Sequence, residues 1–480
     1  MDRLPDAVLL RVFRSLDDEK LLDIRRVCRR FKDLALHPSL WQQRTIGAHW
    51  WNDELSSVDF PRGRCRECAV LRLAPCARIW TVSLPRPTPQ SQQLCASTRC
   101  AVTKVVLRVR RAGAPTAGHH AALLLRNQEA LGRLRTLELD SFDSRLAARD
   151  AGELIATLMC ASGLEQLTLW SFPSALRSLP VPYKDLPAAA SLKLFRCDLT
   201  RASQAFCDSI LATHAGTLEE AQLGFKAAPP TPATTAALLG AIPGLRVLFC
   251  YMMPGLEALA ASASLVDLTL TVEVGQHFEA RMRSAAALLR GAPQLRRVYL
   301  DYGPGTSAPA DVDLVAAMAA NERAPLRSLK LADRGKVDRW QFPQLPRLLA
   351  ALPQLPQLQM LEVSWVPDEF LLALTPQTAP ALRSLFVRSW APCVHNYLHA
   401  DAVQKCLAAN PSLELYVFPC KPSSRVMLPK QCPRKRLCAA CSLDCHQDFR
   451  KKDEAQDYKA MSEEEQRWRR WTSGHVLLPR

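Results

Sequence analysis

Apolar positions along this chain follow two different periods. Between residues 4 and 41 they recur every three or four residues. Val8, Leu9, Val12, Phe13 and Leu16 form one stripe, and Leu21, Leu22, Ile24 and Val27 form a second. That spacing predicts two amphipathic helices. Pro5 suits the first turn of the first helix, where its missing N–H would have no helical partner anyway. Asp17-Asp18 offers oxygens to the free N–H groups that open the second. Phe31, Leu34 and Ala35 carry the pattern into a third helix, which Pro38 is expected to stop.

From residue 102 the pattern becomes Leu-x-x-Leu-x-Leu. Clear copies begin at Leu134, Leu164, Leu265, Leu295, Leu326, Leu358 and Leu382. Weaker ones read Val102/Val105/Leu107, Ala189/Leu192/Leu194, Leu218/Ala221/Leu223, Leu245/Leu248/Cys250 and Leu413/Tyr416/Phe418. Most starts lie 24–32 residues apart, with one short interval of 20 between 245 and 265. The last two apolar positions of a block suit a short strand with alternating sides rather than one helical face. Alanine- and leucine-rich stretches between the blocks (151–161, 204–213, 278–289, 312–320 and 402–409) read as helices. An all-helical array is the competing assignment, but the β-branched and aromatic neighbours Val105-Val106, Tyr299 and Phe386-Val387 favour strands. One strand and one helix cannot bury their own apolar face, so about twelve such units are expected to stack.

The N-terminal order of Leu4-Pro5, two helices, Val27-Cys28-Arg29-Arg30-Phe31 and Pro38-Ser39-Leu40-Trp41 resembles an F-box. Ala7 stands where members of that family often carry Glu, and Phe31 where many carry Trp; neither change removes an apolar contact surface. The repeating blocks resemble leucine-rich repeats. Together the resemblances imply an α/β chain: a three-helix F-box over 1–45, a linker or cap over 46–100, a curved leucine-rich-repeat solenoid over 101–419, and a basic, cysteine-containing tail with a charged helix over 420–480. They imply a non-catalytic substrate receptor of an SCF-type cullin–RING ubiquitin ligase. Leu4, Pro5, Leu9, Leu16, Leu21, Cys28, Phe31 and Trp41 would contact a Skp-type adaptor, and through it the cullin and the RING subunit. The exposed strand positions, assigned as Lys193, Glu219, Arg246, Tyr299, Lys330, Glu362 and Phe386, would hold an unknown protein target destined for proteasomal degradation. A non-degradative interaction scaffold that docks the adaptor without presenting a target is the alternative.

Composition narrows these readings. The 48% hydrophobic content and near-zero mean hydropathy are those of a globular chain. No run of about 18 apolar residues occurs, so no membrane span is expected. The first residues lack the pattern of a signal peptide, which points to the cytoplasm or nucleus. The net charge of +16 invites a nucleic-acid partner, but its distribution argues against one. Residues 1–100 carry 17 basic against 11 acidic side chains and residues 421–480 carry 14 against 8, whereas the long middle, 31 against 27, is nearly neutral.

Seventeen cysteines in a reducing compartment read mostly as buried thiols, Cys160, Cys207, Cys250 and Cys406 among them. Cys65, Cys68 and Cys76 lack a second pair and are expected to be free. Cys432, Cys438, Cys441, Cys445 and His446 offer four thiols and an imidazole within fifteen residues. That donor set suits tetrahedral zinc, but the spacing lacks paired knuckles, so free thiols and no cofactor are expected. Pro433-Arg434-Lys435-Arg436 reads as a solvated basic run, with a nuclear address as the alternative. No phosphate-binding, nucleophile-elbow or His-Glu-x-x-His pattern occurs, and His119-His120 and His395/His399 show no carboxylate partner in sequence, so no active site is expected.

Overall fold

The computed structural model describes residues 4–47, 66–84, 93, 96–109, 117–140, 148–170, 172, 190–224, 233–275, 277–303, 313–321, 325–333, 344–364, 366–389, 397 and 400–419. The cysteine cluster at 432–446, the basic run at 433–436 and the charged tail helix lie outside these residues, as do Cys65, Ala189, His395 and His399. The chain divides into two compact units, Met1–Leu245 and Arg246–Arg480.

The first unit opens with four short helices, α1 (Asp6–Arg14), α2 (Asp18–Ile24), α3 (Arg29–Ala35) and α4 (Pro38–Trp41). Asp17 caps α2 as its position predicts, its Oδ1 accepting the Lys20 N–H at 2.8 Å. Pro38 does not simply end α3. It occupies the first turn of α4, where its fixed φ is preorganised and its missing N–H costs nothing. Leu9, Phe13, Leu21, Phe31, Leu34, Leu40 and Trp41 converge as the buried centre. Phe13 meets Phe31 edge-on at 5.3 Å, and the Trp41 indole N–H donates to the Ala35 carbonyl at 2.8 Å, closing the end of α3.

Seven strands follow in the same unit: β1 (Thr45–Ile46), β2 (Cys76–Leu84), β3 (Ala101–Val109), β4 (Thr136–Asp140), β5 (Gln166–Leu169), β6 (Leu194–Cys197) and β7 (Glu220–Leu223). Each pairs in parallel with the next. The second unit repeats the arrangement with β8 (Val247–Tyr251), β9 (Asp267–Val272), β10 (Arg297–Tyr302), β11 (Ser328–Asp333), β12 (Met360–Val363), β13 (Ser384–Ser389) and β14 (Glu414–Pro419), again parallel throughout. Helices such as Gln204–Thr213, Phe278–Gly291 and Asp401–Ala409 connect them. This strand–helix alternation is the leucine-rich-repeat architecture, and the all-helical alternative is excluded.

Register explains the leucine pattern. In the second unit Leu248, Leu268, Val298, Leu329, Leu361, Leu385 and Leu415 align rung by rung as one buried row. Two residues further on, Cys250, Leu270, Leu300, Leu331, Val363, Val387 and Val417 form a second. The residue between them faces away from the core, as strand alternation requires.

Two sequence assignments shift phase. β6 pairs Leu167 with Phe195 and Leu169 with Cys197, so that block reads Leu192/Phe195/Cys197 rather than Ala189/Leu192/Leu194. Phe195 replaced the expected leucine and hid the phase. At the last strand Leu415 and Val417 face the core, whereas the sequence reading had placed Tyr416 and Phe418 there. A one-residue slip exchanges the two faces of a strand. The short interval between 245 and 265 is resolved by a six-residue 3-10 helix, Leu256–Ala261, entered through Gly255 at φ 87°. Among the thiols, Cys207, Cys250 and Cys406 are buried as expected, but Cys160 is exposed. Burial pushes the Cys250 thiol up to about 12 and Cys406 to about 11, which keeps both protonated.

Candidate functional site

Two surfaces carry the chemistry: the N-terminal helices and the outward face of the strands. Side chains placed on the helices by sequence pattern divide sharply. Leu9, Leu21, Phe31 and Trp41 are at most 5% exposed and fill the module's own centre. Leu16 is half-buried. Leu4 and Pro5 are exposed, as is Cys28, whose Sγ caps α3 by accepting the Phe31 N–H at 3.4 Å. The apolar surface consists instead of Leu4, Val8, Val12 and Val27, at 41, 42, 51 and 67% exposure. Val8 and Val12 sit one turn apart on α1, and Leu4 precedes them by the same spacing. A period that marks a helix does not by itself say which of two adjacent apolar columns goes inside, and here the Leu9/Phe13 column won the core.

Two arginines hold that surface in place, and neither stood out from the apolar pattern. Arg30 reaches back from α3 to Asp6, with Nε at 2.9 Å and Nη2 at 2.6 Å, and also donates to the Leu4 carbonyl at 2.5 Å. It thereby pins the Leu4-Pro5 entry. Arg44 donates to the Leu16 carbonyl at 2.6 Å, to Asp18 at 2.5 Å and to the Leu40 carbonyl at 2.8 Å. One guanidinium so joins the end of α1, the start of α2 and the end of α4, and its planar fork suits that task. The Arg44 carbonyl meanwhile accepts the Arg78 N–H at 2.9 Å, and Thr45 and Ile46 pair with Ile79 and Trp80. The module's last residues are therefore the first strand of the repeat sheet. Strand pairing begins well before residue 101.

A family model for an F-box-like domain matches residues 1–46. The N-terminal module is an F-box-like domain. Its four helices and β1 coincide with that match. No curated protein matches the chain. Among solved structures, a chain in the crystal structure of the Rad7 and Elc1 complex in yeast is similar at 13% identity and TM-score 0.39, covering 86% of this chain and 88% of that one.

On the strand face, Tyr299, Lys330, Glu362 and Phe386 share one row, rung by rung, as the sequence assigned them. The row extends to Tyr416, stacked on Phe386 at 4.5 Å with rings 10° apart. Lys330 bonds Glu362 at 2.7 Å and lies 4.8 Å from the centre of the Tyr299 ring, so its charge is already engaged on both sides. Lys193, Glu219 and Arg246 do not belong to this row. They sit in the turns just before β6, β7 and β8, and the residues equivalent to Tyr299, three positions further on, are Arg196, Gln222 and Phe249. Arg196 lies 5.1 Å from the centre of the Trp170 ring.

His119, for which the sequence shows no carboxylate partner, is in the helix Ala117–Ala130, and its Nδ1 lies 2.8 Å from Glu153 of the next helix. That hydrogen bond, with Arg126 nearby, holds the Glu153 carboxyl below its ordinary range. Among the described residues no cluster of His, Cys, Asp or Glu could hold a metal ion. No described helix is long and apolar enough to cross a membrane.

Proposed function

We propose that this chain is the substrate-recognition subunit of an SCF-type ubiquitin ligase. Its F-box-like domain docks a Skp-type adaptor, and its repeats bind a protein target. The supporting observation is the bare apolar column of Leu4, Val8 and Val12, with Val27 also exposed, on a module whose own core is already full. Such a strip in water favours an apolar partner. The pairing of β1 with β2 serves the same reading, since it ties the helical module to the strands of its own unit. The chain would contribute proximity rather than a catalytic group, raising the effective concentration of a target lysine near the charged ubiquitin carrier.

The full chain, co-expressed with a Skp-type adaptor, is expected to co-purify with it. Val8→Asp with Val12→Asp should reduce recovered adaptor at least tenfold while leaving the unfolding midpoint nearly unchanged. Partners captured with the proteasome blocked should then be ubiquitinated on adding adaptor, cullin and RING subunit. Unaltered adaptor binding in the double variant would remove the docking assignment. A stoichiometric partner that stays unmodified would make the protein a scaffold instead.

A further inference from the structure

The residue that precedes each of the first six strands of the second unit by one position forms a row of its own, tied together by backbone hydrogen bonds. The N–H of Val266 donates to the Arg246 carbonyl, Arg296 to Val266, Arg327 to Arg296, Gln359 to Arg327 and Arg383 to Gln359, all at 2.8–3.0 Å. Of these six consecutive rungs, Arg246, Arg296, Arg327 and Arg383 are arginine, and all four are exposed. None has a side-chain hydrogen bond or ion pair among the described residues. The acids closest in register are engaged elsewhere: Asp267 by Arg297, and Glu414 by the Tyr416 hydroxyl at 2.7 Å.

The same row in the first unit is built to the opposite rule. Thr103, Arg135, Glu165, Lys193 and Glu219 follow one another through the same backbone bonds. Their charges alternate, and Glu165 pairs with Arg135 at 3.6 Å and with Lys193 at 3.4 Å. That row neutralises itself, whereas the row of the second unit presents four cations and no acid.

We propose that this arginine row binds an acidic segment of a polypeptide, rich in Asp or Glu and laid across the strands. Strand rungs are about 4.8 Å apart, so Arg246 to Arg383 spans roughly 24 Å, the length of about seven extended residues. Guanidinium forks suit carboxylates bidentately. Charge complementarity therefore names the occupant. A nucleic acid fits less well, because basic charge would then extend over the neighbouring column. On the outward positions that follow, Arg297 and then Lys330 are already matched by Asp267 and Glu362.

The inference deepens the target-binding reading above and rests on it for its biological meaning, but the binding itself is measured without adaptor or ligase. Fluorescence anisotropy on the full chain would use a labelled ten-residue peptide alternating Glu and Ser, its Gln-for-Glu counterpart, and a ten-nucleotide oligo-dT. The Glu peptide should bind at least tenfold tighter than the Gln peptide, weaken as salt rises, and lose at least tenfold on Arg296→Gln with Arg327→Gln. Arg135→Gln, in the self-neutralised row, should leave its affinity unchanged. Equal affinity for the Glu and Gln peptides, tighter binding of oligo-dT, or an equal loss from Arg135→Gln would overturn the proposal. If the peptide fails while a captured partner is still ubiquitinated, the receptor reading stands and only the acidic edge falls. If the peptide binds but no partner is modified, the reverse holds.

Discussion

The two units of this chain share one template and differ in what they do with its surface. Inside, both align leucine-type residues in two rows, and the first unit tolerates Phe195, Cys197 and Ala221 where the second has mostly Leu and Val. Outside, the first unit spends its charges on itself: Lys104 meets Glu138 at 2.7 Å, and Glu165 sits between Arg135 and Lys193. The second unit keeps an aromatic row, with Phe249, Tyr299, Phe386 and Tyr416 spaced along it, beside a row of unmatched arginines. Core positions in a stacked array are constrained by both neighbours, so they change little. Outward positions answer only to solvent and ligand, so that is where two units of one fold can diverge in function.

That comparison can be broken first at the core. Leu137→Ala in the first unit and Leu329→Ala in the second both remove a fully buried side chain. Each should cost about 2–5 kcal/mol, read as a shift in urea unfolding, and the two losses should be similar. A loss confined to one unit would mean that the rows are not equivalent.

The charge pairs come next. The Lys330–Glu362 pair is mostly shielded, with side chains 14 and 22% exposed, whereas Lys193–Glu165 stands at 57 and 43%. Lys330→Ala strands a half-buried carboxylate and should cost about 1.5–3 kcal/mol. Lys193→Ala, in high-dielectric surroundings, should cost about 0–1 kcal/mol. Equal effects on the unfolding midpoint would erase the distinction between the two faces.

The smallest effect concerns pH and belongs to the first unit. The Nδ1 of buried His214 accepts the N–H groups of Ser191 at 3.1 Å and Leu192 at 3.4 Å, which a protonated ring could not do. Burial lowers its pKa from the ordinary imidazole value. The folded state thus binds this proton less readily than the unfolded chain does. Its stabilising contribution is present above the unfolded value of about 6.5 and is lost as pH falls below that value. Thermal scans from pH 7.5 to 5.0 should show a decline that His214→Asn, which keeps an acceptor but cannot titrate, makes shallower. An unchanged slope would place the acid sensitivity elsewhere.

How much of this was legible beforehand depended on how local the signal was. The F-box helices and most strands followed from apolar spacing, because burial of one face imposes a period on neighbouring residues. The phase of β6 and β14 was missed, since Phe195 and Leu415 do not mark the expected template positions and only pairing to β5 and β13 shows which side they face. The same ambiguity hid which apolar column goes inside: Leu9, Leu21, Phe31 and Trp41 are buried, whereas Val8, Val12 and Val27 are exposed. It also placed Lys193, Glu219 and Arg246 three positions ahead of the outward residues Arg196, Gln222 and Phe249.

Sequence by itself determined the kinds of element, their order, the parallel strand–helix repeat and the F-box-like start. These rest on periodicities within a dozen residues. Tertiary structure alone decided which charges meet. Partners such as Lys330 and Glu362, His119 and Glu153, or Arg44 and Leu16 lie about thirty residues apart and become neighbours only when repeats stack or helices close. Parallel stacking also turned four scattered arginines into one row, because register, unlike hydropathy, is a property of pairs of strands.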